Sequence, residues 1–438
     1  MSLPHFTPDA PYWHRAAPLE PPEDGPLPER VETVVIGAGF TGLGCALALA
    51  KAGREVLVLD AGSPGQGASS RNGGMIGWGH RADRDVLAKR YGEEAADGIV
   101  SLGPRSLAFL LNLIEREGIE CDLQRTGRFL GAASPKHFDR IARQAETIFA
   151  PAGVRCRVVP KDEQGTEIAT DSYVGGVLFE DHGAVHPAKL HAGMLAAARR
   201  AGARVEGKAL VAGLRGGPGG WTVETPRGLV GADEVAFAAN GYAARFSSAL
   251  RSLAARLLPL PSFIVATEAL GENRMKALMP GGRCYVDTRS SHSYYRPSPD
   301  GTRILWGGRA SLTPIPEDQA RERLRQHMLG IFPSLEDVAL EEAWTGLIAY
   351  TRDGIPHVGR IDGLWYAGGY CGSGVAMAPF LGWQMGRRIA GLPDEAGCLD
   401  ATAPARWPPY RGAPWFMRGV EAYYRWKDRR DGVIAPVR

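Results

Sequence analysis

Three glycines, Gly37, Gly39 and Gly42 in VVIGAGFTGLG, have the types and spacing that most directly imply chemistry in this sequence. In a GxGxxG turn the first glycine permits a tight bend, the second lets the backbone approach a pyrophosphate, and the third allows a helix to pack closely on a strand. The helix that opens at Phe40 and Thr41 offers backbone N–H groups to a phosphate. Asp60, followed by Ala61, ends the next apolar run, where a carboxylate accepts hydrogen bonds from ribose hydroxyls and repels a 2′-phosphate. A glycine triplet alone also fits an ordinary turn. Strand, helix, second strand and terminal acid together point to a dinucleotide site, without separating a nicotinamide from a flavin.

These residues need a βαβ unit to position them. Glu32 to Ile36 reads as a buried strand, Thr41 to Ala52 as a helix and Glu55 to Asp60 as a second strand, so the fold begins as α/β with parallel strands. Helical periodicity returns from Ala82 to Gly118, and Thr126 to Ala132 reads as a strand. Pro187 to Arg200 reads as a helix, with strands near Ala203 to Leu214, Trp221 to Thr225 and Glu234 to Ala239. From Leu257 to about Glu342 the alternation in SHSYYRP and RILWGG suits an antiparallel sheet. The expected architecture is a Rossmann-like nucleotide-binding domain of discontinuous segments (31–90, 150–250 and 343–400). A mainly antiparallel, α+β substrate domain (91–149 and 251–342) is inserted in it. An extended, Pro-rich arm (1–30) and a tail (401–438) flank the two.

The bulk numbers exclude several classes. A length of 438 residues suffices for two domains, and a net charge of +3, spread along the chain, does not favour nucleic acid. Six scattered cysteines show neither CxxC pairs nor zinc spacing, so neither a metal nor a disulfide framework is expected. The start lacks the basic and apolar regions of a secretory signal, and the longest apolar stretch is too short and glycine-rich to span a bilayer, so a cytoplasmic protein is expected.

A second glycine-rich stretch, AGSPGQGASSRNGGMIGWG, follows Asp60 without a long intervening helix. Its core, Gly67, Ala68, Ser69, Ser70, Arg71, Asn72, Gly73 and Gly74, resembles the G-A-S-x-R-N-G-G run of the FAD-dependent oxidoreductases of the D-amino-acid oxidase and glycine oxidase superfamily. Within that superfamily it is most similar to the gamma-glutamylputrescine oxidoreductase branch. Three further segments match in order: GAVHPAKLHAGMLAAARRAGARVEGKALV, which would place the Val211 backbone at adenine, ADEVAFAANGY, and GLWYAGGYCGSGVAMAPFLGWQMGRRIAG. In the last, a turn containing Gly369 opens a helix whose N–H groups at Gly372, Ser373, Gly374 and Val375 would face the flavin pyrimidine edge. The same glycines also suit simple close packing of that helix.

The resemblance implies hydride transfer from an amine-bearing carbon to flavin N5, giving an imine that water hydrolyses. Oxygen or another acceptor takes the electrons. An apolar pocket lowers an amine's pKa by desolvation, so no side chain is singled out as a catalytic base. Pocket candidates are Tyr295, Trp306 and Tyr350; strand alternation puts Tyr294 and Tyr295 on opposite faces, so at most one of the two is expected to face the flavin. Each could equally be a core residue. Ile348 stands where amino-acid oxidases of the superfamily carry a carboxylate-gripping arginine and sarcosine-oxidase relatives a flavin-linked cysteine. Leu305 stands near the place of an oxygen-activating lysine. Noncovalent FAD and an amine or longer substrate are therefore expected, with Arg352 a replacement clamp only if the backbone offset differs. Cys371, His80 and His186 are read as structural. An amino-acid oxidase or dehydrogenase, and a flavin-binding regulatory protein without amine oxidation, remain open. The tail, rich in Arg, Trp and Tyr, suits packing on the protein's own body better than a membrane surface or a partner.

Overall fold

The computed structural model describes residues 11–22, 25–77, 83–245, 250–400, 402–409 and 414–433. The apolar runs behave as expected for strands covered on both faces: all four residues of Val56–Leu59 and the last four of Arg30–Ile36 are buried. The two strands pair in parallel, Val34 opposite Leu57, through the crossover helix Phe40–Lys51. The sheet continues in the order His357–Ile361, Leu364–Gly368, Gly228–Phe237, Arg30–Ile36, Val56–Leu59, Arg204–Glu206. A hairpin of Gly213–Gly217 and Gly220–Thr225 joins it along Gly228–Phe237.

The helix Phe40–Lys51 is buried almost throughout because the helices Gly374–Ile389 and Pro187–Arg200 cover it. Side chains added at Gly44, Gly382 or Gly386 would collide with backbone carbonyls of the facing helix, so these glycines set how closely the helices Phe40–Lys51 and Gly374–Ile389 approach.

A second sheet runs Leu340–Tyr350, Leu258–Thr267, Ile304–Gly308, Ser293–Pro297, Cys284–Asp287, Arg128–Gly131, Gly176–Phe179, Cys156–Val159. It is antiparallel except where Cys284–Asp287 meets Arg128–Gly131. One face packs Tyr285, Tyr295 and Trp306 beneath Leu324 and Met328 of the helix Glu317–Leu329 and Phe332 just after it. The other face looks toward the glycine-rich segments.

Sheet membership departs from the expected division. Cys156–Val159 and Gly176–Phe179, expected with the nucleotide domain, pair into the second sheet, and Leu340–Tyr350 is that sheet's opposite edge. The helix Glu93–Arg116, expected with the substrate domain, packs on Gly374–Ile389. Apolar runs of similar composition serve either sheet, so the hydrogen-bonded neighbour decides their place. The N-terminal segment is also not merely an extended arm. Trp13–Ala16 forms a helical turn with Trp13 fully buried among Ala188, Ile264 and Trp344.

The tail helix Met417–Arg430 covers the second sheet's edge, with Met417 against Leu258, Leu260 and Leu312. Glu421 accepts from the Leu312 N–H at 2.8 Å, and Asp428 from the Ser290 N–H at 3.1 Å. Trp415, Tyr423 and Trp426 stay more than half exposed. All six cysteines are free thiols. Among the described residues there is no cluster suited to a metal ion and no helix long and apolar enough to cross a membrane.

Candidate cofactor and substrate site

The glycine turn is held by its neighbours rather than by its own length. Gly37 has φ +103°, a backbone conformation that side chains rarely adopt. A Cβ on Gly42 would strike the Gly37 carbonyl, and one on Gly39 would lie 2.8 Å from Ser69 Oγ. The Phe40 N–H donates to Ser69 Oγ at 2.9 Å, and the His191 ring meets the Ala38 carbonyl at 2.7 Å, so two other segments buttress the turn. Asp60 Oδ2 accepts from the Ala38 N–H at 2.8 Å and Oδ1 from Gly62 at 3.0 Å. A carboxylate oxygen has two lone pairs, so capacity remains toward the cavity that Asp60 lines.

The second glycine-rich run is folded around one amide. Asn72 Nδ2 donates to the Ala68 and Ser69 carbonyls, and its Oδ1 accepts from the Gly74 N–H at 2.8 Å. Trp344 Nε1 donates to the Arg71 carbonyl at 2.7 Å and Trp13 Nε1 to the Asn72 carbonyl at 2.8 Å. Arg71 donates to Gln66 O and, across the interface, to Thr345 O. The run is thereby fastened to the second sheet.

Between the two sheets lies a cavity of about 560 Å³. Gly37, Gly39, Phe40, Thr41, Asp60, Ala61, Ser69, Arg71, Asn72 and Gly73 form one side of its wall, with Gly372, Ser373, Gly374 and Val375 from the last helix. Gly42, Ser70, Gly74, Val211 and Gly369 stand behind the wall. Ser70 donates to Gly65 O, and Val211 is core while its neighbour Leu210 reaches the cavity. The Ser373 N–H does not face the cavity as expected, because it donates to Tyr370 O at 2.9 Å. Gly374 and Val375, in the helix's first turn, keep N–H groups that have no intrahelical acceptor.

The substrate side corrects two expectations. Tyr350 lines the cavity, but Tyr295 and Trp306 do not. They are opposite neighbours on adjacent strands and stack at 4.1 Å between centroids on the sheet's far face, where Tyr295 OH meets Tyr173 OH. Strand alternation turns Tyr294 inward instead; its OH lies 3.0 Å from Ser262 Oγ, and burial pushes its pKa up to about 12. Ile348 is in the wall, whereas Leu305 is buried with Trp13 and Trp344. Arg352 donates to Arg406 O outside the cavity. Cys371 lines the cavity, and its thiol donates to Gly369 O at 3.2 Å. His186 caps the helix Pro187–Arg200, accepting from the Lys189 N–H. His80 lies outside the described residues.

Sequence reasoning missed two wall arginines, Arg128 and Arg309. Arg309 donates to Tyr350 OH at 2.7 Å and to Ser290 O, and its guanidinium lies over the rings of Tyr350 and Tyr424. The available signal was alternation: Arg128 in GRFLG falls on the face opposite the buried Phe129. Among the described residues of the wall, Asp60 is the one acid against Arg71, Arg128 and Arg309.

A glycine turn at a helix N-terminus, an acid at the end of the next strand and an antiparallel sheet across the cavity fit an oxidoreductase built around a dinucleotide cofactor. The family model described as FAD dependent oxidoreductase, DAO, matches residues 32–388, and the chain belongs to this family of FAD-dependent enzymes acting on amine or amino-acid donors. The chain is 31% identical to gamma-glutamylputrescine oxidoreductase of Escherichia coli over 91% of its own length and 93% of the relative's. It is 24% identical to glycine oxidase of Geobacillus kaustophilus, over 81% and 92%. The crystal structure of glycine oxidase from Geobacillus kaustophilus shares the fold, with a TM-score of 0.70 at 22% identity, covering 87% of this chain and all of that one. The residues present fit FAD. The Gly39 cradle that a Cβ would fill, the Asp60 carboxylate and the first-turn N–H groups of Gly374 and Val375 would hold its pyrophosphate, ribose and pyrimidine edge in turn.

Proposed function

We propose that the protein oxidises an amine at the carbon bearing nitrogen, by oxidative deamination or N-dealkylation of gamma-glutamylputrescine or a related amine, with FAD bound noncovalently. Bound FAD supplies the hydride acceptor, and water hydrolyses the imine that the substrate becomes. The observation that carries this reading is the wall opposite the nucleotide side. Leu260, Ile264, Leu312 and Ile348 present aliphatic surface beside the phenols of Tyr294 and Tyr350. Such a wall penalises an ammonium ion and so delivers the amine neutral, with the lone pair needed to expel hydride and without a dedicated base. Ile348 in the wall offers no thiol for attachment, and the Cys371 thiol is engaged with Gly369 O. Six free thiols suit a reducing, cytoplasmic setting.

The test is anaerobic absorbance titration of the purified holoenzyme with gamma-glutamylated amines, polyamines, sarcosine, glycine and D-amino acids, with acid precipitation to ask whether flavin leaves the chain. Bleaching by amines and flavin in the supernatant are expected. Flavin reduced by none of the panel would overturn the reading in favour of a flavin-binding protein without this chemistry. Best reduction by D-amino acids would favour an amino-acid oxidase, a reading that the wall arginines support.

A further inference from the structure

Arg128 is a cavity-lining cation for which the described residues supply no anion. It sits in the strand Arg128–Gly131, between Cys284 and Phe179 on the flanking strands, and its guanidinium carbon lies 5.2 Å from the Phe179 ring centroid. Its Nε is enclosed without a partner, and among the described residues its side chain enters no hydrogen bond or ion pair. Burial lowers its pKa to about 10, against the opposing influence of the Cys284 thiol. Arg289 and Arg388 also have an enclosed Nε without a partner, but the guanidinium of each interior arginine compared here is engaged through its other nitrogens. Arg289 pairs with Asp287, Arg296 donates to Val185 O and Pro297 O, and Arg309 donates to Tyr350 OH.

A half-buried guanidinium with an enclosed Nε and no anion beside it is incompletely compensated by the protein. Arg128 lines the cavity, so the group that completes it can arrive there from outside the chain. The wall's acid, Asp60, is on the nucleotide side and already holds Ala38 and Gly62. Arg71 and Arg309 add further positive charge. A second ammonium with no carboxylate beside it, as in a diamine, is repelled here, whereas a carboxylate matches the planar N–H fork.

We propose that Arg128 is an anion-binding residue of the substrate subsite, and that the substrate is an amine that also carries a carboxylate rather than a simple diamine or polyamine. This rests on the amine-oxidation reading above and narrows its substrate class. Ile348 removes the clamp from one strand, and Arg128 supplies the charge from another.

The experiment uses the FAD-loaded enzyme and stopped-flow anaerobic reduction by gamma-glutamylputrescine, by N-acetylputrescine, which lacks the α-ammonium and the carboxylate together, and by putrescine, with glutarate binding isolating the carboxylate. Wild type should strongly prefer the first. In Arg128→Met the ratio of reduction efficiencies between the glutamylated and acetylated amines should fall on the order of 10²-fold, with partial recovery in Arg128→Lys. Glutarate, a redox-inert dicarboxylate, should perturb the flavin spectrum of wild type at concentrations where Arg128→Gln shows nothing. A ratio unchanged in folded Arg128→Met and Arg128→Gln overturns the proposal. So does a weakened FAD affinity with the ratio intact, which would assign the guanidinium to the cofactor. If no amine or amino acid reduces the flavin, the amine-oxidation reading fails by itself; loss of the glutarate response in Arg128→Gln would still support the anion subsite, and a retained response would overturn it.

Discussion

The two walls of the cavity are built on opposite plans. On the nucleotide side the segment's own neighbours satisfy the polar groups: Ser69 takes the Phe40 N–H, Asp60 the Ala38 and Gly62 N–H groups, and Asn72 closes its own run. On the sheet side, tight packing lies behind the wall in the Tyr295–Trp306 stack, and the surface that faces the cavity leaves Arg128 without a partner among the described residues. The first plan preorganises a crevice for a cofactor of fixed shape, where movement would cost affinity. The second leaves one charge for the substrate to complete, which is how a buried polar group rejects molecules that lack the matching one.

Breaking the preorganised wall should have the largest effect. Gly42→Ala drives a methyl into the Gly37 carbonyl, so protein purified without flavin and destabilised by about 3 kcal/mol or more is expected, read from the absorbance spectrum and urea unfolding. Asp60→Ala introduces no collision but removes the acceptor of the Ala38 and Gly62 N–H groups; FAD affinity should weaken by about 10²-fold, measured by fluorescence titration of apoprotein.

Between the walls, the link that follows Leu340–Tyr350 carries a pH-sensitive joint. Burial raises the Asp353 pKa, but hydrogen bonds from His357 and Tyr91 outweigh it and hold the carboxyl at about 2 against an ordinary 3.8. Because the folded value is the lower one, the stabilisation is complete above pH 3.8 and is lost as pH falls toward 2. Urea unfolding at successive pH values should show that loss, worth about 2 kcal/mol, in wild type but not in Asp353→Asn.

The smallest expected effect separates the two faces of one strand. Tyr295→Phe removes a hydroxyl bonded to Tyr173 in the core, and should lower stability by about 1 kcal/mol while leaving the preference among amines unaltered. Tyr294→Phe alters the cavity face and should shift that preference. A kinetic change in Tyr295→Phe, with none in Tyr294→Phe, would contradict the assignment of the two faces.

Local chemistry in the chain determined the nucleotide half. The turn from Gly37 to Gly42, Asp60 and the run from Ser69 to Gly74 act through backbone conformation and near neighbours, so spacing along the sequence carries their role. The two sheets were also legible as classes, because parallel crossovers and antiparallel alternation have different periodicities. Pairing was not. Cys156–Val159 and Gly176–Phe179 read like strands of either sheet, and Tyr294 and Tyr295 differ in the sequence only by parity. Deciding which parity faces a ligand required the partner strand, Trp306 opposite Tyr295. Arg128 shows the limit most sharply: its residue type says cation, but whether an anion neutralises it depends on side chains far away in the chain. Charge compensation is a property of three-dimensional neighbourhood, and only the tertiary structure left that guanidinium facing the cavity without a partner among the described residues.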